Sequence, residues 1–391
     1  MAFPERFSNL PEYAFPRLRA LLDGVPAGGT PIAMSLGEPK HAFPAWITGI
    51  IAEHAAEFGN YPPNPGTPEL LQAISDWIAR RYGLAHPADQ IMVLNGSREG
   101  LFAASLALSA ERKAGAPAKI LMPNPFYQVY AVGAVAAGAE PVFLPAAQTD
   151  GFLPDFQALD PAILDQTTLA FICSPSNPQG AVASMDYLVD LLALAEKHDF
   201  KVVSDECYSE IYDRDKPVSG LQAVQQAGAD PERMVVINSL SKRSSLPGLR
   251  SGFVASGPAN IAEFVKLRSY SGAPVSGPLQ RVAERVWADE AHVTENRALY
   301  QEKYRIAAEV FGGLPGFTMP QGGFFLWLPV PDGEAATKVL WQETGVRVLP
   351  GAYLARDADG KNPGKEFIRV AMVAPKEEMQ RGLNHIRDCL F

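Results

Sequence analysis

The segment from Asn238 to Gly252 places a lysine between two kinds of side chain that bind phosphate groups. Ser239 precedes Lys242 and Arg250 follows it, on a stretch rich in small residues after the apolar run Met234 to Ile237. Arginine binds phosphate through paired hydrogen bonds, and a serine hydroxyl supplies a further donor. A lysine amine beside them can attack a carbonyl carbon of the same cofactor. The pattern indicates a lysine bound covalently to a phosphorylated aldehyde, of which pyridoxal 5'-phosphate (PLP) is the common example. A solvated surface loop with unrelated charges is the alternative interpretation.

A second phosphate-binding pattern lies between a predicted strand, Ile91 to Leu94, and a predicted helix, Glu99 to Ala110. Gly96 allows a close approach, and Ser97 is the predicted N-cap of the helix. The backbone N–H groups that follow, beginning with Arg98, would point toward an anion. An ordinary capped helix would have the same sequence.

Several other polar or aromatic residues also follow predicted strands. Tyr127 could stack on a pyridine ring, although a tyrosine there is more often a core residue. Asp205 ends the apolar run Lys201 to Ser204, and a carboxylate there could pair with a pyridinium nitrogen or cap a helix. Arg369 interrupts the apolar strand Glu366 to Val373, so it needs either a structural ion pair or a carboxylate of the substrate.

The elements that position these residues alternate along the chain. Apolar runs separated by amphipathic helices predict an α/β fold, with a mostly parallel sheet covered by helices on both faces. Ligands of such sheets bind beyond the carboxyl ends of the strands, where the residues above lie. We predict an N-terminal arm (1–41) that joins the small domain, a large domain (42–280), and a small α+β domain (281–391) that begins with a long linking helix.

Composition limits the class of protein. The chain has 391 residues, of which 47% are apolar, and a formal net charge of −9. This charge argues against a nucleic-acid partner. The three cysteines have no metal-ligand or disulfide spacing, the N-terminus lacks the layout of a signal peptide, and no stretch is long and apolar enough to span a membrane. We therefore expect a cytoplasmic protein without a metal.

The complete set of motifs resembles the class I aminotransferases, which are fold-type I PLP enzymes, over essentially the whole chain. The motifs that carry this resemblance are Gly37 with Glu38 and Pro39, Asn95 to Gly100, Asn124 to Tyr127, Asn177-Pro178-Gln179-Gly180, Asp205 to Tyr208, Ser239 to Gly252 and Phe367 to Ala371. The resemblance implies a PLP-dependent transaminase, working on small amino acids and 2-oxo acids.

The same resemblance assigns a role to each residue. Lys242 would bind PLP covalently and move the proton, Asp205 would pair with the ring nitrogen, and Asn177 and Tyr208 would bind the phenolic oxygen. Tyr127 would stack on the ring. The phosphate would be held by Gly96, Ser97, Arg98, Ser239 and Arg250, and by Tyr61 of a neighbouring subunit in a homodimer. Arg369, Asn177 and the Gly37 backbone would bind the substrate carboxylate.

Longer strings are similar to the bacterial N-succinyldiaminopimelate aminotransferases of lysine biosynthesis. They are Ser241 to Ser244 with Pro247 to Phe253, Asp289 to Val293 with Glu295 to Tyr300, and Val348 to Arg356 with Asn362 to Gly364. Ser271 departs from the histidine expected there. This similarity implies glutamate as amino donor and N-succinyl-2-amino-6-oxopimelate as acceptor.

The extra carboxylates of that acceptor need cations or donors in a wide pocket. The candidate cations are Arg243, Arg268, Arg356 and Lys361, although each is more often a solvated surface charge, and the loop 357–362 is the expected mobile segment. Three alternatives stay open: an aminotransferase specific for aspartate, alanine or aromatic substrates; a PLP lyase such as a C–S lyase or an aminocyclopropane-carboxylate synthase; and a regulator built on an aminotransferase-like domain, for which we see no DNA-binding extension.

Overall fold

The computed structural model describes residues 5–8, 10, 12–358 and 360–391. Within them, the strands are β1 Ile32–Ala33, β2 Ile91–Leu94, β3 Arg112–Lys113, β4 Ala116–Pro117, β5 Lys119–Asn124, β6 Glu140–Pro145, β7 Thr167–Cys173, β8 Lys201–Asp205, β9 Met234–Ser239, β10 Gly252–Ala255, β11 Phe325–Pro329, β12 Val346–Arg347, β13 Leu349–Pro350 and β14 Phe367–Ala371.

The helices of the same residues are α1 Ala14–Leu22, α2 Ile47–Glu53, α3 Pro68–Tyr82, α4 Ser97–Leu108, α5 Gln128–Ala136, α6 Pro161–Gln166, α7 Met185–His198, α8 Gly220–Ala227, α9 Leu240–Arg243, α10 Pro258–Ser271, α11 Gly277–Ala288, α12 Ala291–Phe311, α13 Gly333–Thr344 and α14 Lys376–Leu390. None of these helices combines the length and the apolar composition that a membrane crossing requires.

A seven-stranded sheet forms the centre of the large unit, in the order β2-β10-β9-β8-β7-β5-β6. Strand β10 runs antiparallel to both of its neighbours, and the other neighbouring strands are parallel. The sheet is mostly parallel, and this confirms the predicted α/β fold class. Ser239 and Asp205 both lie at carboxyl ends of parallel strands, so the fold brings them to one edge of the sheet.

Helices cover both faces of this sheet. Along β9, Val235 and Ile237 face a core shared with α4, α5 and α10. Met234 and Val236 face the opposite core, which α3, α7, α8 and α11 complete. Because successive strand residues point to opposite faces, a strand buried on both sides must be apolar throughout. This is why the central strands were readable as continuous apolar runs.

The smaller unit packs α12, α13 and α14 against the three-stranded sheet β11-β14-β13. The N-terminal segment contributes Ile32 and Met34 to this core, and β1 pairs in parallel with β12.

The division of the chain at residues 41 and 280 stays a prediction. Helix α11 gives Val282, Val286 and Trp287 to the core of the large sheet, and we therefore propose a second boundary after α11.

Two local predictions were wrong. Lys242 lies on the one-turn helix α9 and not on a loop. Helix α4 begins at Ser97, so the N-cap is Gly96 and not Ser97. Gly96 has a φ of +79°, which is outside the helical region and is readily adopted by glycine, so the helix begins at the next residue.

Candidate active site

A cavity of about 400 Å³ lies at the carboxyl ends of the central strands. Residues from β8, β9 and α9 meet there with the N-terminal segment and with β14. Eleven of the thirteen site residues named from the sequence line it: Gly37, Ser97, Arg98, Tyr127, Asn177, Asp205, Tyr208, Ser239, Lys242, Arg250 and Arg369. Residues distant in sequence are therefore brought to one place.

The other two named residues do not line this cavity. At Gly96 an added Cβ would come within 2.4 Å of a guanidinium nitrogen of Arg250 and displace it, and the φ of +79° would strain any other residue. Tyr61 lies elsewhere, and its side chain is fully exposed. Gly96 thus supports the site from outside the cavity, while Tyr61 takes no part in the cavity of its own chain.

Lys242 is the nucleophile candidate. Its Nζ donates a hydrogen bond of 2.5 Å to the carbonyl oxygen of Gly37 and lies 5.3 Å from the centre of the Phe324 ring. Burial lowers the pKa of Lys242 to about 8. A large fraction of the amine is therefore neutral near pH 8, and the neutral amine is the form that attacks a carbonyl.

Asp205 is held by two hydrogen bonds. The Tyr130 hydroxyl donates to Oδ2 at 2.8 Å, and the Cys207 backbone N–H donates to Oδ1 at 3.2 Å. Burial raises the pKa of Asp205, although these hydrogen bonds and the charge of Lys242 act in the opposite direction. A buried carboxylate in such a place favours a positive partner in the cavity.

Tyr130 was missed by the sequence analysis. It lies on the buried face of α5, stacked on Phe171 with ring centres 4.7 Å apart, and its sequence signal is that of a core aromatic. Four further lining residues lie inside the motifs quoted from the sequence but had no role assigned: Glu38, Cys207, Ser241 and Pro247. The others lie outside those motifs, and no pattern in the sequence connects them with the site: Tyr13, Phe15, Leu36, Cys173 and Phe325.

Hydroxyl and guanidinium donors gather beside Gly96. Arg250 donates to the carbonyl oxygens of Pro247 at 2.9 Å and Asn95 at 3.0 Å, which fixes its guanidinium. Ser97 and Ser239 line the same cavity. These donors suit a phosphate group, and the missing Cβ of Gly96 leaves room for the Arg250 guanidinium beside them. With Lys242 and Asp205 in the same cavity, the residues present fit PLP.

Two tyrosines, Tyr127 and Tyr208, also line the cavity. The Arg98 Nε donates to the Tyr127 hydroxyl at 2.8 Å, so the ring of Tyr127 is held in place. Tyr208 packs edge-on against Phe324 and Phe325, and burial raises its pKa well above the ordinary value. Its hydroxyl therefore stays protonated and can donate a hydrogen bond.

Arg369 is a buried cation at the other wall. It donates to Asn177 Oδ1 and to the Ser35 carbonyl oxygen, both at 2.9 Å, and stacks 4.2 Å above the Phe325 ring. Burial lowers its pKa to about 10. Among the described residues it has no carboxylate within 4.0 Å, and its buried Nε has no hydrogen-bond partner. A buried guanidinium without a counter-charge is well suited to bind the carboxylate of a ligand.

Two of the four candidate cations for a second carboxylate are structural. Arg243 is buried between Trp77 and Trp287 and pairs with Glu290 at 2.7 Å. Arg268 is buried and pairs with Glu99 at 3.0 Å. Both were candidates for substrate binding, with a solvated surface charge as the alternative; the structure instead pairs both charges within the fold.

Arg356 and Lys361 lie near the surface. Arg356 lines a second cleft of about 380 Å³, together with Arg17, Gln128 and Asn362. Lys361 is exposed and pairs through its backbone with Ala358. The predicted mobile loop 357–362 contains Asp359, which lies outside the described residues. In the part of the chain that the structure describes, no cluster of His, Cys, Asp and Glu could hold a metal ion.

Comparisons with known proteins agree with this geometry. The model of the family "Aminotransferase class I and II" matches residues 30–386. The LL-diaminopimelate aminotransferase of Moorella thermoacetica is 32% identical, with 98% of this chain and 97% of the relative covered. That of Dehalococcoides mccartyi is 30% identical over the same shares. An aminotransferase structure from Neisseria meningitidis superposes with a TM-score of 0.94 at 37% identity, covering 100% of both chains. Aminotransferase AspB from Helicobacter pylori gives 0.90 at 31% identity and covers 99% of both.

Proposed function

The chain belongs to the class I and II aminotransferases, which use pyridoxal phosphate, and we propose that it transfers the amino group of glutamate to N-succinyl-2-amino-6-oxopimelate. The cofactor, when bound, supplies an electron sink for the bond that breaks at the substrate Cα. Arg369 and Asn177 bind the carboxylate next to that carbon. Lys242 Nζ would take the proton that leaves Cα, and the Asp205 carboxylate would hold the ring nitrogen in its protonated form.

The observation that carries the choice of acceptor is the cleft around Arg356. Its residues Glu12 and Gln128 are chain neighbours of Tyr13 and Tyr127, which line the main cavity, so the same two segments contribute to both spaces. Asn124 fixes Arg356 by accepting from its backbone N–H at 3.0 Å and donating to its carbonyl oxygen at 2.8 Å. Among the described side chains, no carboxylate pairs with Arg356 within 4.0 Å. A succinylated acceptor brings two carboxylates to the end remote from the reaction, and Arg356 offers one of them a cation.

A second candidate substrate is LL-diaminopimelate itself. The relatives from Moorella thermoacetica and Dehalococcoides mccartyi are named for that compound. Its remote end carries one carboxylate and one ammonium group. The same cleft contains Glu12 and Asp357, and a carboxylate would suit the ammonium group.

We expect kcat/KM to be at least tenfold higher with N-succinyl-LL-diaminopimelate than with LL-diaminopimelate, when each serves as amino donor to 2-oxoglutarate. Arg356→Ala should lower kcat/KM for the succinylated compound by about tenfold, which corresponds to one hydrogen-bonded charge of ~1.4 kcal/mol. The same variant should leave the half-reaction with alanine unchanged, because alanine has no remote carboxylate. The measurement is steady-state kinetics with a matched Arg112→Ala control, a residue on the exposed hairpin β3–β4.

Other results would identify other substrates. A tenfold preference for LL-diaminopimelate would select the second candidate. A tenfold preference for aspartate, alanine or an aromatic amino acid would overturn both and leave the aminotransferase activity standing. Product formation without any 2-oxo acid would point to a lyase.

We also propose that the enzyme is a homodimer whose sites are shared. Tyr61 begins a proline-rich loop in which Asn64 donates to the Val265 carbonyl oxygen and to Ser269 Oγ, both at 3.0 Å. This loop and the end of α10 thus form one surface. Tyr61 and Tyr270 stand on it almost fully exposed, which is costly for aromatic side chains unless another chain covers them.

Mixing two inactive variants tests this arrangement. Tyr61→Ala and Arg369→Ala, co-refolded, should regain activity at one of the two sites of each mixed dimer, because that site has an intact Arg369 and the partner's intact tyrosine. The measurement is the activity of purified mixed dimers carrying two different affinity tags. Arg369→Ala mixed with Lys242→Ala is the control and should show no rescue, since both residues belong to one subunit's site. A mixed Tyr61→Ala dimer without rescue would mean self-contained subunits.

A further inference from the structure

The helix that carries Lys242 is too short to hold itself in place. Helix α9 has four residues, which is a single turn, and one turn forms few of the hydrogen bonds that stabilise a longer helix. The carbonyl groups at its end, those of Lys242 and Arg243, have no backbone partner within the turn. Something outside α9 must therefore fix the backbone from which the Lys242 side chain extends.

Asn296 on α12 fixes this backbone, and its side-chain amide uses all of its donor and acceptor positions to do so. Its Nδ2 group donates to the carbonyl oxygens of Lys242 at 3.3 Å and Arg243 at 3.2 Å. Its Oδ1 accepts from Ser245 Oγ at 3.3 Å and from His41 Nδ1 at 2.8 Å. A side-chain amide has two N–H donors and two acceptor positions, so all four are used here. Asn296 acts as a cap on α9 that comes from a distant helix.

The bond to His41 connects this cap with a second part of the site. His41 lies four positions after Gly37, whose carbonyl oxygen accepts from Lys242 Nζ at 2.5 Å. The segment 37–41 therefore contacts Lys242 at both ends: at the side-chain amine through Gly37, and at the backbone through His41 and Asn296. Neither His41 nor Asn296 lines the cavity.

Neighbouring residues on and just before α12 contact the same segment. Glu290 pairs with Arg243 at 2.7 Å, and His292 Nε2 lies 2.8 Å from Ser244 Oγ. Arg297, beside Asn296, pairs with Glu210 at 2.5 Å, two positions beyond Tyr208. One helix thus holds both segments that carry the candidate catalytic side chains. The string from Asp289 to Tyr300 was quoted above only for its similarity to a subfamily. These contacts show that several of its residues hold the segment that carries Lys242.

We infer that Asn296 is a positioning residue that locks the backbone of Lys242 to the segment 37–41, so that the lysine and the loop over it are ordered together. This inference rests on Lys242 being the residue that binds the cofactor. It does not depend on which substrate the enzyme uses.

The test is Asn296→Asp, which keeps the shape and the acceptor positions but turns the two donors into an oxygen facing two carbonyl oxygens. We expect the apoprotein to capture pyridoxal phosphate more slowly, and kcat to fall about tenfold to 100-fold with KM for the amino donor little changed, the size expected for a misplaced reacting group. Backbone amides of 37–41 and 240–245 should both exchange faster with deuterium.

Three matched variants separate positioning from general damage. Glu295→Gln changes the exposed neighbour on α12 and should behave as wild type. Ile306→Ala weakens the small-domain core on the same helix, so it reports what a loss of stability alone does. Lys242→Ala should capture no cofactor covalently; covalent capture by this variant would show that the assignment of Lys242, on which the inference rests, has failed.

A folded Asn296→Asp protein with wild-type capture and kcat would overturn the inference. If Asn296→Asp exchanged backbone amides with deuterium faster at 240–245 but not at 37–41, the proposed link between the two segments would be overturned. If Asn296→Asp does not fold, His41→Ala removes that link, together with the contact of the His41 ring with Tyr300 at 4.5 Å. We then expect faster exchange at 37–41 and slower cofactor capture, and unchanged capture would overturn the inference.

Discussion

Lys242→Ala is expected to abolish transamination, with kcat at least ~10⁴-fold lower, because both the covalent attachment of the cofactor and the transfer of the Cα proton depend on this amine. After borohydride treatment, mass spectrometry should find the cofactor on the wild-type peptide that contains Lys242 and on no peptide of the variant. In the wild-type apoprotein, the rate of covalent capture should rise as the pH passes about 8, where burial places the pKa of Lys242.

Lys303→Met is the matched control for this variant. Lys303 is also buried, burial also lowers its pKa to about 8, and it donates to the Met372 carbonyl oxygen at 3.0 Å outside the cavity. Replacing it should leave covalent attachment and kcat within a few-fold of wild type, provided that the protein folds. Near-native turnover by Lys242→Ala would disprove the assignment.

Asp205→Asn is expected to lower kcat by about 10³-fold, the size of effect seen when one preorganised electrostatic partner is lost. The amide keeps the shape of the carboxylate but loses the negative charge that would keep a proton on the ring nitrogen. Pyridoxal phosphate should still bind, because Lys242 and the phosphate donors are untouched. The measurements are kcat for transamination and the visible absorbance of the bound cofactor.

The adjacent carboxylate provides the control. Glu206 is buried and accepts from Ser204, Ser219 and the Gly220 backbone, but it does not line the cavity. Glu206→Gln should therefore change kcat little. An unchanged kcat in Asp205→Asn would mean that another group protonates the ring. Tyr130→Phe, which removes one hydrogen bond to Asp205, should give an intermediate loss.

Much of the fold was predictable because the central strands are buried on both faces. A strand such as Met234–Ser239 must then be apolar along its length, and such runs stand out between amphipathic helices. The family was predictable for a different reason: the motifs with Asn177, Asp205 and Lys242 follow these strands in one order. The homodimer, the cytoplasmic location and the individual residue roles stay predictions.

Arg243 shows where the sequence was insufficient. It lies beside Lys242 in the chain, and its charge alone made it a candidate for substrate binding. Only the packed structure shows that Trp77, Trp287 and Glu290 surround it. Whether a charge faces a ligand or a structural partner depends on residues far away in the chain, and no local spacing records them.

The sequence by itself determined the fold class, the family and the cofactor, and it named the residue types that suit a phosphorylated pyridine. These follow from short-range patterns: apolar strands, small residues at their ends, and a lysine between phosphate-binding groups. The tertiary structure decided which of those residues meet. It brought Tyr130 to Asp205, Gly37 to Lys242, and Asn296 to the end of α9. Such contacts depend on how helices cross and pack, and that geometry is set by the whole core and not by any one segment.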